Sequence, residues 1–277
     1  MDKDQIEKVL LEKSRIGGLL TELEVAGIFK KHGFRLELNK YYNDIDEGKG
    51  REIDLVATFS RKTDTDEEDY LEMVFKFIVE IKRSEKPWVF TTFPADDFHE
   101  KESPFFRFES ENFDKLTLAE AFFGTLKEIE DERLGRNFAV IDPKEQKKEN
   151  DTPIFSALFS VAKAFYAEHF LDSYIKQGKD KLSEKIFEYH ELLVVVDAPI
   201  YEVFIEDGKE KIQRVSELLV AFNYTSPKYD ETSVYIIRVI AKESLDDFLG
   251  MRMESFRKIS EEILEKEGGG KPFDEEA

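Results

Sequence analysis

Apolar positions repeat with two different periods along this chain, and the change of period divides it into elements. Through residue 33 the spacing is helical. Ile6, Val9, Leu10 and Lys13 form one short series, Gly17-Gly18 marks a break, and Leu19, Leu20, Leu23, Ala26, Gly27 and Lys30 continue to His32-Gly33. Gly33 stands where a helix ends on a residue of positive φ, a conformation glycine adopts without steric penalty. The period then becomes two. Phe34–Leu38, Ile53–Phe59 and Met73–Lys82 read as three strands. The acidic run Lys62–Tyr70 reads as a solvated hairpin loop, which makes the second and third strands antiparallel neighbours.

Downstream, the pattern predicts a helix over 117–134, with Thr117 as N-cap and Glu120 as its capping-box partner. Asp142–Thr152 is loop-like. Thr152-Pro153 opens a long apolar helix to about Gln177, with proline at the first helical position. Leu192–Val196 is a continuous apolar run, the mark of a strand buried on both faces. Ile200–Ile205, Glu217–Tyr224 and Ser233–Ala241 add strands, and Ser244 is placed to cap a final helix to Lys266. The sequence shows neither an internal repeat nor a clear linker. The expectation is one α/β domain over 1–266: a motif-bearing core at about 15–90, a helical insertion at about 115–178, strands at about 191–241, and a disordered tail at 267–277.

Composition narrows the function. Hydrophobic residues make up 41% and aromatics 13%, with 25 Phe, enough for a packed core. Absence of cysteine excludes disulfides, thiolate metal sites and cysteine nucleophiles. The chain has no apolar run long enough to span a membrane, and its acidic start lacks the apolar stretch of a secretory leader. A cytoplasmic setting is expected. The net charge of -20 opposes non-specific nucleic-acid binding, which depends on basic side chains neutralising phosphates.

Against that background, a few charged residues stand in apolar surroundings. Asp54 interrupts the second strand in REIDLVA, and Glu80 and Lys82 end the third in FIVEIKRS. Residues two apart on a strand share a face, so Glu80 and Lys82 project together, ~7 Å apart by strand rise. Pairing of the two strands lets Asp54 reach the same place. Glu22, on the preceding helix, is a further carboxylate, with Glu24 as its competitor. Carboxylates of this kind suit Mg²⁺ or Mn²⁺, which prefer hard oxygen ligands and leave room for water and phosphate. A lysine beside them can orient or deprotonate water, or stabilise charge developing on phosphorus.

The arrangement resembles the PD-(D/E)XK, or restriction-endonuclease-like, nuclease superfamily. Its carriers are Glu22 on a helix ending in Gly33-Phe34, Asp54 in a strand, and Glu80-Ile81-Lys82 as the D/E-x-K element. The resemblance covers roughly residues 15–90, and Ile53 stands where the family's namesake motif has proline. It implies a mixed central sheet flanked by helices. It further implies that Asp54, Glu80 and the Ile81 backbone carbonyl ligate the metal, that Glu22 supports the metal or its waters, and that Lys82 is catalytic. The activity implied is metal-dependent hydrolysis of nucleic acid, DNA first, in defence or repair.

Two other readings stand beside it. One is the same fold with an inactive site, acting as a regulatory or protein-binding module; the other is a plain interaction or storage protein. A homodimer or a protein partner is compatible with either. Lys30, Lys31, Arg35, Lys76, Lys82, Arg83 and Lys86 gather near the motifs and predict a small basic mouth. Ser84 can share the Lys82 face, and Trp88 reads as a packing residue before a base-stacking one. His32, His99, His169 and His190 read as structural.

Overall fold

The computed structural model describes residues 5–9, 18–62, 71–94, 133–145, 147–148, 152–176, 185–226 and 231–267. Residues 5–9 are helical. Helix α1 (Leu19–Lys31) ends as its glycine requires. Gly33 has φ of 86°. Its N–H donates to the Lys30 carbonyl at 3.1 Å, and the Phe34 N–H reaches the Phe29 carbonyl at 3.3 Å. The Phe29 and Phe34 rings meet edge to face at 5.4 Å. This is a Schellman closure with its apolar contact, and it turns the chain into the sheet.

A hairpin follows, β1 (Arg35–Asp44) and β2 (Lys49–Lys62). Asp44 holds its turn: Oδ1 accepts the N–H groups of Asp46 and Glu47, each at 3.1 Å. Its Oδ2 accepts from Arg51 and from Lys163, each at 2.6 Å. β3 (Leu71–Arg83) returns antiparallel to β2, as the apolar alternation predicts. Then come β4 (Trp88–Pro94), β5 (Arg133–Asp142) and the short β6 (Lys147–Lys148). Helix α2 (Thr152–Lys176) begins at the expected Thr-Pro pair. β7 (Lys185–Asp197), β8 (Ile200–Glu206), β9 (Lys209–Val215), β10 (Glu217–Ser226) and β11 (Glu231–Ala241) complete the strands. A 3₁₀ turn, Lys242–Ser244, leads into α3 (Leu245–Glu267).

Among the described residues, ten strands form one mixed sheet in the order β1-β2-β3-β7-β11-β10-β5-β4-β8-β9, and β6 adds to β5. β7 runs parallel to both β3 and β11. Flanked on each side and covered on both faces, it can be apolar throughout, which explains Leu192–Val196. Helices α1 and α3 cover one face, where Val25, Phe29, Phe75, Phe77 and Phe256 pack together. Helix α2 covers the other, where Ala157 and Val161 meet Ile78, Val194 and Val239. β3 therefore sends alternate residues into two different cores. Glu80 falls on the α2 side of this alternation, with Ile78.

Several expectations are corrected. Arg133 and Leu134 open β5 instead of ending a helix; the remainder of that helix, 117–132, lies outside the described residues, as do the loop at 63–70 and the tail from 268. Leu134 packs beside Leu219 and Ala221, and a side chain at Gly135 would come within 3.3 Å of Leu218 and Val220. Close strand approach, not helix propensity, decides this segment. Helix α2 belongs to the core, since Ile154, Ala157, Leu158 and Val161 form one wall of the larger cluster. β4, β6 and β9 were not anticipated.

Candidate functional site

The backbone is irregular at Asp54, and this gives the carboxylate its position. On one side, the β1–β2 register runs Leu38↔Leu55 and then Lys40↔Ile53, leaving Asn39 and Asp54 unpaired. Asn39 has a left-handed φ of 48° there. On the other side, the β2–β3 ladder ends at Leu55↔Val79. The next donor on β3 is taken by a side chain: the Ile81 N–H donates to Asp54 Oδ2 at 2.7 Å. Ile53 packs toward α2 while Leu55 packs toward α1 and α3, so β2 changes face where Asp54 sits.

Glu80 and Asp54 thus stand on neighbouring strands, one rung past the last ladder pair. Lys82 shares the Glu80 face, and its Nζ donates to Glu80 Oε1 at 2.5 Å. Glu80 is only 5% exposed. Burial pushes its carboxyl up to about 7, with the Asp54 and Glu22 carboxylates adding to the effect and the Lys82 ammonium opposing it. Glu22 enters from the first turn of α1. Its carboxyl is also raised, by partial burial and then by Asp54, with Lys82 again opposing.

These groups border an open cleft of about 250 Å³ lined by Gly18, Thr21, Glu22, Asp54, Ile81, Lys82 and Arg83. Four expected site residues, Glu22, Asp54, Ile81 and Lys82, therefore meet at one place. Glu80 is not in the lining; it lies behind Lys82. Among the described residues no group of three or more His, Asp or Glu is arranged to hold a metal ion. At the cleft Glu80 stands outside the lining, with Oε1 accepting from Lys82. Two carboxylates and a strand backbone remain, a donor set of hard oxygens compatible with one hydrated Mg²⁺ or Mn²⁺.

Of Glu22 and Glu24, the structure brings Glu22 to the cleft. Glu24 is exposed and accepts from Lys242 Nζ at 2.5 Å, whereas Glu22 lines the cleft. Thr21 was missed. Its hydroxyl donates to Asp197 Oδ2 at 3.3 Å, and Lys242 Nζ lies 3.3 Å from the same oxygen. These contacts tie the start of α1 to the end of β7, and nothing local in the sequence announces them.

The basic mouth does not form as expected. Of the seven cations, Lys82 and Arg83 line the cleft. Lys31 pairs with Asp246 at 2.6 Å and Lys86 with Asp142 at 2.9 Å. Lys76 sits 3.7 Å from Glu168. The excess of acidic side chains supplies partners that neutralise most of this group.

Ser84 turns away from the Lys82 face: its Oγ accepts the Lys86 N–H at 3.1 Å and donates to the Lys86 carbonyl at 2.8 Å. Trp88 is fully buried in the core beneath α2, which leaves no face for a base. His32 Nε2 is 2.8 Å from Asp246 Oδ1, and buried His190 lies against Glu188 at 3.4 Å, both structural placements. His99 and the side chain of His169 lie outside the described residues. No helix among the described residues is long and apolar enough to cross a membrane. No protein-family model matches the chain, and comparisons with curated proteins and with solved structures give no match either.

Proposed function

We propose that this chain is a divalent-metal-dependent nuclease of the PD-(D/E)XK type, hydrolysing phosphodiester bonds of DNA at the Asp54 cleft. The observation that carries this reading is convergence. Glu22, Asp54 and the Ile81-Lys82 pair come from three separate segments and border one cleft. The mixed sheet with helices on both faces agrees with the core that the motif resemblance implies. Asp54, Glu22 and the Ile81 carbonyl would hold Mg²⁺ or Mn²⁺; Glu80, a ligand by the resemblance, here accepts from Lys82 instead. The metal would supply Lewis-acid polarisation of phosphate and a more acidic water. The chain's own contribution is positional. Asp54 is fixed by the Ile81 N–H, and Lys82 presents an ammonium to a phosphate or its attacking water.

Calorimetric titration with Mn²⁺, on the parent and on Asp54→Asn, tests the assignment. Asn keeps an oxygen for the Ile81 N–H, so the variant should fold as the parent does while losing metal binding and any cleavage of DNA. Equal affinity in both proteins refutes it. The second reading, a non-catalytic module, is favoured by the engaged Glu80 and by the net charge of -20. Failure to bind short DNA or RNA at low salt with Ca²⁺ present would select it.

A further inference from the structure

β8 and β9 end the sheet as a two-stranded ribbon, and among the described residues nothing pairs with the outer edge of β9. Asp207 and Gly208 form its two-residue turn with φ of 51° and 72°, the left-handed pair of a type I′ hairpin. Such a turn closes on a hydrogen-bonded pair, here Glu206 and Lys209. Alternation then directs the backbone of Lys209, Lys211 and Gln213 toward β8. The N–H and C=O groups of Glu210, Ile212 and Arg214 face the open edge.

The side chains of those three residues share one face with Tyr201, Val203 and Ile205 of β8, by the register Ile205↔Glu210, Val203↔Ile212 and Tyr201↔Arg214. Ile205 is 73% exposed and Ile212 66%. Two exposed isoleucines at an open edge are a liability unless something covers them. Opposite charges flank Ile212 symmetrically, with Glu210 two residues before it and Arg214 two after.

We propose that β9 is the interface with a second copy of this chain, the two strands pairing antiparallel about a two-fold axis at Ile212. Ile212 then faces its own counterpart, and each Glu210 faces Arg214 of the second copy. All three residue pairs have their backbone groups turned outward, so each exchanges both N–H···O bonds across the axis. Neighbouring registers fail on charge or chemistry. Centring on Lys211 sets two like ammonium groups opposite each other, and centring on Gln213 sets Ile212 against Arg214. A two-fold contact is isologous and closes after two copies, which distinguishes it from open-ended edge aggregation. In the single chain Arg214 reaches Glu243 at 2.7 Å, with both side chains more than half exposed. That contact is the competitor the second copy must replace. One strand edge is a small interface, so the dimer should be weak and concentration-dependent.

Sedimentation velocity across a concentration series reads the result directly. The parent should move from 32.4 kDa toward twice that mass as concentration rises. Glu210→Arg and Arg214→Glu each place like charges opposite one another, and each should stay monomeric at concentrations where the parent dimerises. Mixing these two variants should restore a dimer, since every pair across the axis is then of opposite sign. Both positions are exposed on one strand, so the substitutions should leave the melting temperature unchanged. A parent that remains monomeric at its highest soluble concentration overturns the proposal. So do single variants that dimerise like the parent, or a mixture that stays monomeric.

Discussion

Replacing Glu80 by Gln tests the electrostatics of the site without needing a substrate. Glu80 is 5% exposed, and its carboxyl is pushed from 4.5 up to about 7, chiefly by burial. A group whose folded-state pKa is raised favours the folded chain most while it is neutral. That contribution is whole below pH 4.5 and is lost as pH rises through about 7. The shift corresponds to about 3 kcal/mol at 1.36 kcal/mol per pH unit, already net of the attraction to Lys82. Glutamine has the size of the neutral acid, cannot ionise, and offers the Lys82 ammonium an amide oxygen. Parent and variant should therefore be nearly equal in stability near pH 4.5, and the variant more stable by about 3 kcal/mol above pH ~8. Urea unfolding at the two ends of the range measures this; the gap amounts to a midpoint shift of roughly 1 M for a slope of about 3 kcal/mol/M. Groups remote from Glu80 are common to both proteins and cancel in the comparison, so the gap reads Glu80 together with the charges coupled to it, Lys82, Asp54 and Glu22. A variant no more stable than the parent above pH ~8 would refute the claim that the fold holds Glu80 at a cost. It would show that the Lys82 pair already compensates the buried charge.

Other outcomes follow from named contacts. Lys163→Met removes one of the two cations on Asp44 Oδ2, whose side chain is 1% exposed and keeps Arg51 on the same oxygen, and should cost about 1.5–3 kcal/mol in urea unfolding; a loss within the usual surface range would contradict that pairing. Gly33→Ala forces a β-carbon into φ of 86° and should cost about 1–2 kcal/mol, read as a fall in melting temperature. Glu22→Gln should weaken Mn²⁺ binding while Glu24→Gln leaves it unchanged, because Glu22 lines the cleft and Glu24 faces Lys242. Equal effects of the two on calorimetric affinity would remove Glu22 from the site.

What the sequence alone determined is whatever depends on near neighbours. The end of α1 was legible because Gly33 and Phe34 carry a helix closure that needs only six consecutive residues. The start of α2 was legible from Thr152-Pro153. The β2–β3 pairing followed from two alternating runs joined by a polar connection. The convergence of Asp54 with Lys82 followed from that pairing.

Tertiary structure decided the rest, because the deciding contacts join residues far apart in the chain. Glu22 and Glu24 are equivalent on a helix of isolated sequence; Lys242, more than two hundred residues away, separates them. β5 lacks clean alternation, and it becomes a strand because Gly135 permits close approach to β10. β9 carries polar or charged side chains on both faces and, with Ile212 and Val215 three apart, no apolar alternation, so only its pairing with β8 makes it a strand. The family resemblance implies a metal-ligand role for Glu80. Its withdrawal behind Lys82 results from burial on the α2 side of the sheet, where a lone carboxylate is costly and the nearest cation is two residues along the same strand.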